Sequence, residues 1–576
     1  MKTSSIRALP TLAAAVLTVG MASASTSEGV SVTQRQQIDA LFAQYADTAR
    51  PGCAVGVMRK GHVAVAKGYG LADVERAVPI TSASVFDIGS TSKQFAAAAV
   101  ILLEQDGKLS LSDDVREYVP ELPDYGRVIT IDHLLRHTSG LRDYTALLSL
   151  SGLEVEQVGT DEQALAVIAR QRALNFPTGT RYEYSNSGFF LLAVIVERVS
   201  GQPLGQFARE RIFQPLGMKS AQFRDKHAEV IPGRALGYAV DAEAPQGTVR
   251  FRNALSNWEQ TGDGALHLSI EDLAKWDENF YQPRVGGQPL IDRLTQRGQL
   301  DNGEKIAYAR GLFVDEYRGV PRVHHAGNWV GYNAMLARFP EQHTSVAVLC
   351  NFEGAEASEL SEKVADIVLA DVLKGADAGG AQKASPGKKA AVKPVPLQRL
   401  LGSYFDANTE TILEVIEQQG ALILKIGAMP LPLVATGPAS FEVQGFPVKA
   451  DFSLTGKQAA NELKLRIGDD DAMAATRFTA ATPSAEALQS YVGTFYSPEL
   501  DVTWPLVIDQ GKLAVRDEHR KFETKIQPLA PAMQDAFSGE AGLLRFARDA
   551  SGKVTGFELS ASRMRGIRFE LRSMNR

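Results

Sequence analysis

Short apolar runs rich in valine alternate with polar turn signals through the first two thirds of the chain, a pattern that predicts strands and helices in mixed order. In "PGCAVGVMRKGHVAVAKGYG" two such runs flank Lys60-Gly61, which predicts two strands joined by a tight turn. The following "TSKQFAAAAVILLEQDGKL" predicts a helix, because alanine and leucine favour it and Gly107 supplies a stop. "SGFFLLAVIVERVSG" reads as a second buried helix, and "SIEDLAKWDENFY" opens a third with Ser269 and Asp272 in capping-box spacing. Strand character returns in "AMLARFP" and "TSVAVLCN" near residue 350. Together these patterns predict one large mixed domain over residues 30–374.

Periodicity stops in "GADAGGAQKASPGKKAAVKPVP". Glycine, alanine, lysine and proline dominate there, with two valines as the large apolar residues, so residues 375–396 are expected to form a flexible linker. Beyond it the chain repeats itself. "LQRLLGSYF" from Leu397 matches "LQSYVGTFY" from Leu488, and the same register aligns Gly402 with Gly493, Ala421-Leu422 with Lys512-Leu513 and Arg477-Phe478 with Arg568-Phe569. Each unit alternates short strands with turns, which predicts two related antiparallel β-barrels or sandwiches over 397–482 and 483–576. Neither contains an obvious pairing of nucleophile and base.

Length and charge narrow the functional classes. A chain of 576 residues exceeds one ordinary core. Its 61 basic and 67 acidic residues give a net charge of −6 with no long basic run, which argues against a nucleic-acid partner. Lys2 and Arg7 precede an uncharged run that closes on Ala22-Ser23-Ala24, the small-x-small pattern of a cleaved export signal. Residues 1–24 are therefore expected to direct the protein to the periplasm or outside the cell, with no membrane insertion after cleavage. Cys53 and Cys350 are too few for a disulfide-built scaffold and sit in apolar runs, as buried thiols do.

Three short motifs in the large domain carry the chemistry: Ser90-Thr91-Ser92-Lys93 at the mouth of the first helix, Tyr184-Ser185-Asn186 before the second, and His325-Ala326-Gly327 near a late strand. A serine hydroxyl needs a base within reach to act as a nucleophile. Spacing of i and i+3 puts the Lys93 amine over Ser90, and the positive end of the helix with an apolar surround favours an uncharged lysine that can be that base. A metal pair of His324 and His325 is excluded because neighbours on a strand face opposite ways. His133 and His137 lack the intervening acid of a zinc-protease helix and are assigned to packing or capping. His267 and His343 have no assigned role, and Tyr144 is read as an exposed loop tyrosine.

With "ITIDHLLRHTSGL" and "GDGALHLSIEDLAKW", the three motifs resemble the serine-reactive hydrolases that include class C β-lactamases, penicillin-binding DD-carboxypeptidases, some esterases and D-aminopeptidases. The trailing repeats resemble the D-aminopeptidase arrangement. The resemblance implies an α/β (α+β) catalytic domain, an antiparallel sheet flanked by helices plus a helical lobe, followed by two small antiparallel barrels. It implies that Ser90 is acylated, that Lys93 and Tyr184 move its proton in an order left open, and that Asn186 donates its amide to substrate and to Lys93. It further implies that Tyr184 ionises more readily than a free phenol, that Gly327 lets substrate lie against the strand, and that the N–H groups of Ser90 and Asn328 hold the oxyanion. No cofactor or metal is required. Because the first and last strands run side by side in such a fold, Cys53 could face Cys350. The β-lactamase branch usually has lysine where His325 stands, so weak handling of carboxylate-bearing substrates is expected at pH 7, with rescue below about pH 6 as His325 gains a proton. The barrels are expected to pack on the catalytic domain and narrow its mouth. The leading reading is an exported hydrolase of small amides or peptides, with D-configuration of the substrate left open. A carboxylesterase, a β-lactamase or DD-carboxypeptidase, and a non-catalytic binder of peptidoglycan fragments stay open.

Overall fold

The valine-rich runs form the central sheet. In the computed structural model, which describes residues 29–374 and 395–572 apart from 47–48, 242, 245–248, 428, 445–447, 468–469, 518–524 and 562, β1 (Cys53–Arg59) and β2 (His62–Tyr69) turn at Lys60-Gly61. The expected export signal and all but the end of the expected linker lie outside the described residues. Four later strands complete an antiparallel sheet in the order β3-β4-β5-β6-β1-β2: β3 is Phe313–Tyr317, β4 Val320–Trp329, β5 Tyr332–Phe339 and β6 Thr344–Cys350.

Both faces of this sheet are covered, which is why β1 and β6 read as continuous apolar runs. Val55, Val57, Val346 and Val348 face a layer containing helices α1 (Val32–Leu41) and α4 (Ala357–Val368), whereas Ala54, Met58, Ala347 and Leu349 face the larger helical layer. Cys53 lies opposite Cys350 in the register of β1 and β6, and the two form a disulfide. The reading of two free buried thiols therefore gives way to a cross-strand link, because the register brings both sulfurs to one face.

Helix α2 (Lys93–Gln105) is buried at every residue from Lys93 to Leu103, so it runs through the core. Helix α3 (Asn186–Ser200) packs against it and ends at left-handed Gly201. Ser269 caps the helix Ile270–Glu278 by accepting from Asp272 N, but no reciprocal capping bond forms: the Asp272 carboxylate accepts from the backbone N–H groups of Lys219 and Ser220 at 3.0 and 2.6 Å.

The sequence repeats are two β-structures whose first long strands start at the matched glycines, Gly402–Asp406 and Gly493–Ser497. The first unit closes into an eight-stranded antiparallel barrel with its own apolar core. The second is a nine-stranded sheet whose edge strands, Lys525–Pro528 and Ala530–Pro531, are consecutive in the chain, so it curls nearly shut. Its core is continuous with that of the helical layer. Among the described residues no helix is long and apolar enough to cross a membrane.

Candidate active site

Ser90 lies on a single 3-10 turn, Gly89–Ser92, that runs directly into α2. Gly89 enters the turn with φ +49°, and its N–H is held by Asp87 Oδ1 at 2.8 Å. Lys93 Nζ donates to Ser90 Oγ at 3.1 Å, Asn186 Oδ1 at 2.9 Å and the Asp263 carbonyl at 2.6 Å. Burial pulls the Lys93 pKa down to about 7 against the raising influence of the Asp263 and Asp143 carboxylates, with the Arg563 guanidinium adding to the downward pull.

Tyr184 lines the same cavity as Ser90, and its ring lies 4.8 Å from Lys93 Nζ. Burial raises this phenol well above its ordinary value and outweighs the lowering influence of Ser90 and of the Arg563 charge. The expectation of easier ionisation is thus overturned: loss of water around the ring dominates the neighbouring cations, and Tyr184 is a neutral phenol at pH 7. Asn186 is the first residue of α3, and its orientation differs from expectation, because its amide oxygen accepts from Lys93 while its backbone N–H donates to Asp143 Oδ2 at 2.9 Å.

His325, Gly327 and Asn328 follow one another on β4. Both ring nitrogens of His325 are engaged, Nε2 with the Tyr308 hydroxyl at 3.1 Å and Nδ1 with the Ala326 carbonyl at 2.6 Å. Burial, helped by the Lys93 charge, pushes its pKa to about 3, so the expected protonation below pH 6 does not occur. Gly327 has a reason other than room for substrate: a Cβ there would stand 1.9 Å from the Ile88 carbonyl oxygen and 3.0 Å from Thr91 N. The strand must press against the turn that carries Ser90, and only glycine allows it. Gly327→Ala is accordingly expected to lower stability by about 1–3 kcal/mol through overpacking and to slow acylation; a melting curve matching wild type would contradict this. Asn328 N sits on the same contact, 2.9 Å from where a Gly89 Cβ would be. Ser90, Tyr184, Asn186, His325 and Asn328 line one cavity of about 390 Å³, and Gly327 stands behind its wall.

A family model described as beta-lactamase matches residues 38–370, more than half of the chain. The chain belongs to the beta-lactamase family. Among its relatives, a D-aminopeptidase from Brucella melitensis is 28% identical over 538 residues, covering 90% of this chain and 95% of that protein. Penicillin-binding protein 4* from Bacillus subtilis is 27% identical over 442 residues, covering 75% and 96%. In fold, a penicillin-binding protein homologue from Pyrococcus abyssi aligns with TM-score 0.54 and 24% identity, covering 77% of this chain and 99% of that one. The D-amino acid amidase from Ochrobactrum anthropi aligns with TM-score 0.50 and 21% identity, covering 59% and 99%.

Several residues of this beta-lactamase-family site escaped sequence reasoning. Tyr144 is not an exposed loop residue: it is 2% exposed, starts a short helix, and its hydroxyl donates to Asp263 Oδ2 at 3.0 Å. Asp263 is half-buried in the cavity lining with its carbonyl on Lys93 Nζ, and loss of water raises its carboxyl to about 6 against the lysine's pull. Its only signal was its place in "GDGALHLS". His137 does pack, but on the site itself, with its ring 4.2 Å from that of Tyr184 and its Nδ1 accepting from Ser185 N at 3.2 Å. His133 caps the helix Ile131–Leu135. His324 turns away from His325 to pair with Asp315 at 3.2 Å, and no metal-holding group of three ligands occurs among the described residues. His267 lines the cavity, and His343 pairs with Glu278 at 3.2 Å.

Proposed function

We propose that this serine hydrolase cleaves amide or peptide bonds of small substrates through an acyl-Ser90 intermediate. Ser90 Oγ attacks the carbonyl carbon while neutral Lys93 takes its proton. The N–H groups of Ser90 and Asn328 stabilise the oxyanion, and the Asn186 amide, turned from Lys93 by its own oxygen, donates to the substrate. On collapse the C–N bond breaks, and Tyr184 passes a proton to the departing amine and is resupplied from Lys93. Water then attacks the acyl carbon by the reverse proton route, releasing the acid and restoring the Ser90 hydroxyl. A neutral tyrosine suits the donor step and a lysine near pH 7 suits the base step, which gives an order to the two roles.

The observation that carries this reading is the 3.1 Å contact from Lys93 Nζ to Ser90 Oγ, made by an amine whose pKa is brought to about 7. Relatives named as D-aminopeptidases and a fold neighbour named as a D-amino acid amidase support amides of D-configured residues as the substrate class. Export is part of the proposal: the amino-terminal pattern suggests it, and a disulfide suits an oxidising compartment. A fluorophosphonate should label the intact enzyme on the peptide containing Ser90, as read by mass spectrometry. Labelling at another residue, or none, rejects the proposal.

A further inference from the structure

The cavity around Ser90 has two ends, and the proton route uses one of them. His325, Gly327 and Trp329 share a face of β4 because strand side chains alternate, and at about 3.3 Å per residue His325 and Trp329 stand roughly 13 Å apart along it. Gly327 lies midway and presses on the turn of Ser90, where a Cβ would stand 3.0 Å from Thr91 N. At the His325 end stands Tyr184, its ring 6.1 Å from that of His325. Arg563 of the second barrel lies over the Tyr184 ring at 5.0 Å and pairs with Asp143 at 3.7 Å. A leaving group that takes its proton from Tyr184 departs by this end. The acyl group therefore extends toward Trp329.

The Trp329 end is aromatic, and its rings take no part in the proton transfers. Trp329 is half-buried, with its ring 5.7 Å from that of Trp258 at a tilt of 51°, and Trp258 lies 6.3 Å from the ring of Tyr144. All three line the cavity. Two of them are anchored from behind. Trp258 is 6% exposed, its Nε1 donates to the Glu154 carbonyl at 3.1 Å, and a Cβ on Gly159 would stand 2.8 Å from its ring. The Tyr144 hydroxyl is committed to Asp263 Oδ2 at 3.0 Å. These anchors hold both rings in place, so the aromatic surface is formed before any substrate arrives.

We propose that Trp329, with Trp258 and Tyr144 beside it, is a specificity-determining residue that selects substrates whose acyl group carries an aromatic side chain. This rests on Ser90 being the nucleophile and Tyr184 the donor to the leaving group. A substrate ring placed at this end leaves water and meets tilted aromatic faces, the arrangement that ring pairs favour at centroid distances of about 4.5–7 Å. A methyl side chain would leave the same faces wet. The substrate class narrows accordingly, from small amides in general to those of phenylalanine-like residues.

The test holds a small, non-aromatic leaving group constant and varies the acyl side: kcat/KM is measured on the methyl esters of alanine, cyclohexylalanine and phenylalanine in both configurations. In the configuration turned over faster, phenylalanine should exceed alanine by about tenfold or more, the scale of burying a phenyl side chain, with cyclohexylalanine between them. Trp329→Ala should bring the ratio of phenylalanine to alanine close to one, and Trp329→Phe should restore part of it. With the ring moved to the other side, the ratio of benzyl to methyl ester of alanine should not respond to Trp329→Ala. A wild-type ratio near one, a ratio untouched by Trp329→Ala, cyclohexylalanine equal to or above phenylalanine, or a benzyl-ester ratio that depends on Trp329 overturns the proposal. Fluorophosphonate labelling of Ser90 separates the two readings: an unlabelled wild type defeats the serine mechanism, whereas a labelled one with a flat ratio, or with no turnover of any ester, defeats only the role of Trp329. Should Trp329→Ala lose its fold, the wild-type ratios and Trp329→Phe still decide.

Discussion

Ser90→Ala is expected to abolish acylation, and Lys93→Met to lower kcat/KM by roughly a hundred- to ten-thousandfold, the range of a positioned general base. The pH profile identifies the base. Because Lys93 titrates near 7 in the folded protein, the neutral amine that accepts the Ser90 proton becomes abundant as pH rises. For a neutral ester, kcat/KM should climb about tenfold per pH unit below that point and level off above it. Neither neighbouring histidine can produce this limb: burial holds His325 near 3, and it holds His137 well below the ordinary histidine value. Asp263, raised to about 6 and packed on Lys93, shares the transition, so the limb belongs to the pair. In Lys93→Met the limb should vanish. A wild-type profile flat from pH 5 to 8 would exclude Lys93 as the base.

The same shift has a sign in stability. An unfolded chain protonates its lysine up to about pH 10.4, whereas the folded one releases that proton near 7. The unfolded state therefore binds the extra proton between these values, and the contribution of Lys93 to stability improves as pH rises through the window. Lys93→Met should consequently be more stable than wild type at pH 7 while nearly inactive, a combination that a merely structural lysine does not give.

What the sequence revealed was local. Val55, Val57, Val346 and Val348 announced strands because both sheet faces are buried, and Ser90 with Lys93 announced a nucleophile and base because a turn and the start of a helix fix their spacing. Tyr184 and Asn186 were found by a motif whose geometry is again a loop entering a helix. The sign of the Tyr184 shift was not legible, since it depends on what covers the ring: His137 and the second barrel come from distant parts of the chain. Tyr144 was misread for the same reason, because its burial requires Asp263 and Trp258 above it. Gly327 was singled out correctly as a special position, yet its purpose lay in the approach of Ile88, which only the packed structure reveals. Arg563 had no pattern at all. It matters through docking, and docking leaves little trace in a single sequence.

The most deeply buried ion pair of that docking joins Arg142 to Glu499, and breaking it should have the largest effect on stability. Arg142 Nη1 donates to Glu499 Oε2 at 2.5 Å, with the two side chains 1% and 2% exposed. The arginine also donates to Gln171 Oε1 at 2.9 Å and the Gly566 carbonyl at 3.2 Å, while Glu499 accepts from Arg172 N at 2.9 Å. Glu499→Ala leaves the guanidinium buried with only neutral acceptors, a situation that typically costs about 3–5 kcal/mol. Replacing both partners by apolar residues, Arg142→Met with Glu499→Leu, should recover much of that loss, since no charge is then stranded. Activity should follow stability here. Arg142 and Asp143 are adjacent: the Arg142 carbonyl accepts from the Ser187 hydroxyl at 2.6 Å, and Asp143 holds the N–H of Asn186, so a shift at this interface reaches the first turn of α3 and the amide that faces Lys93. Chemical denaturation with a parallel measurement of the Ser90 labelling rate would test both parts. A loss below about 1 kcal/mol in Glu499→Ala, less than ordinary for a stranded buried charge, would mean that apolar contact alone seats the second barrel, and that the site does not depend on this pair.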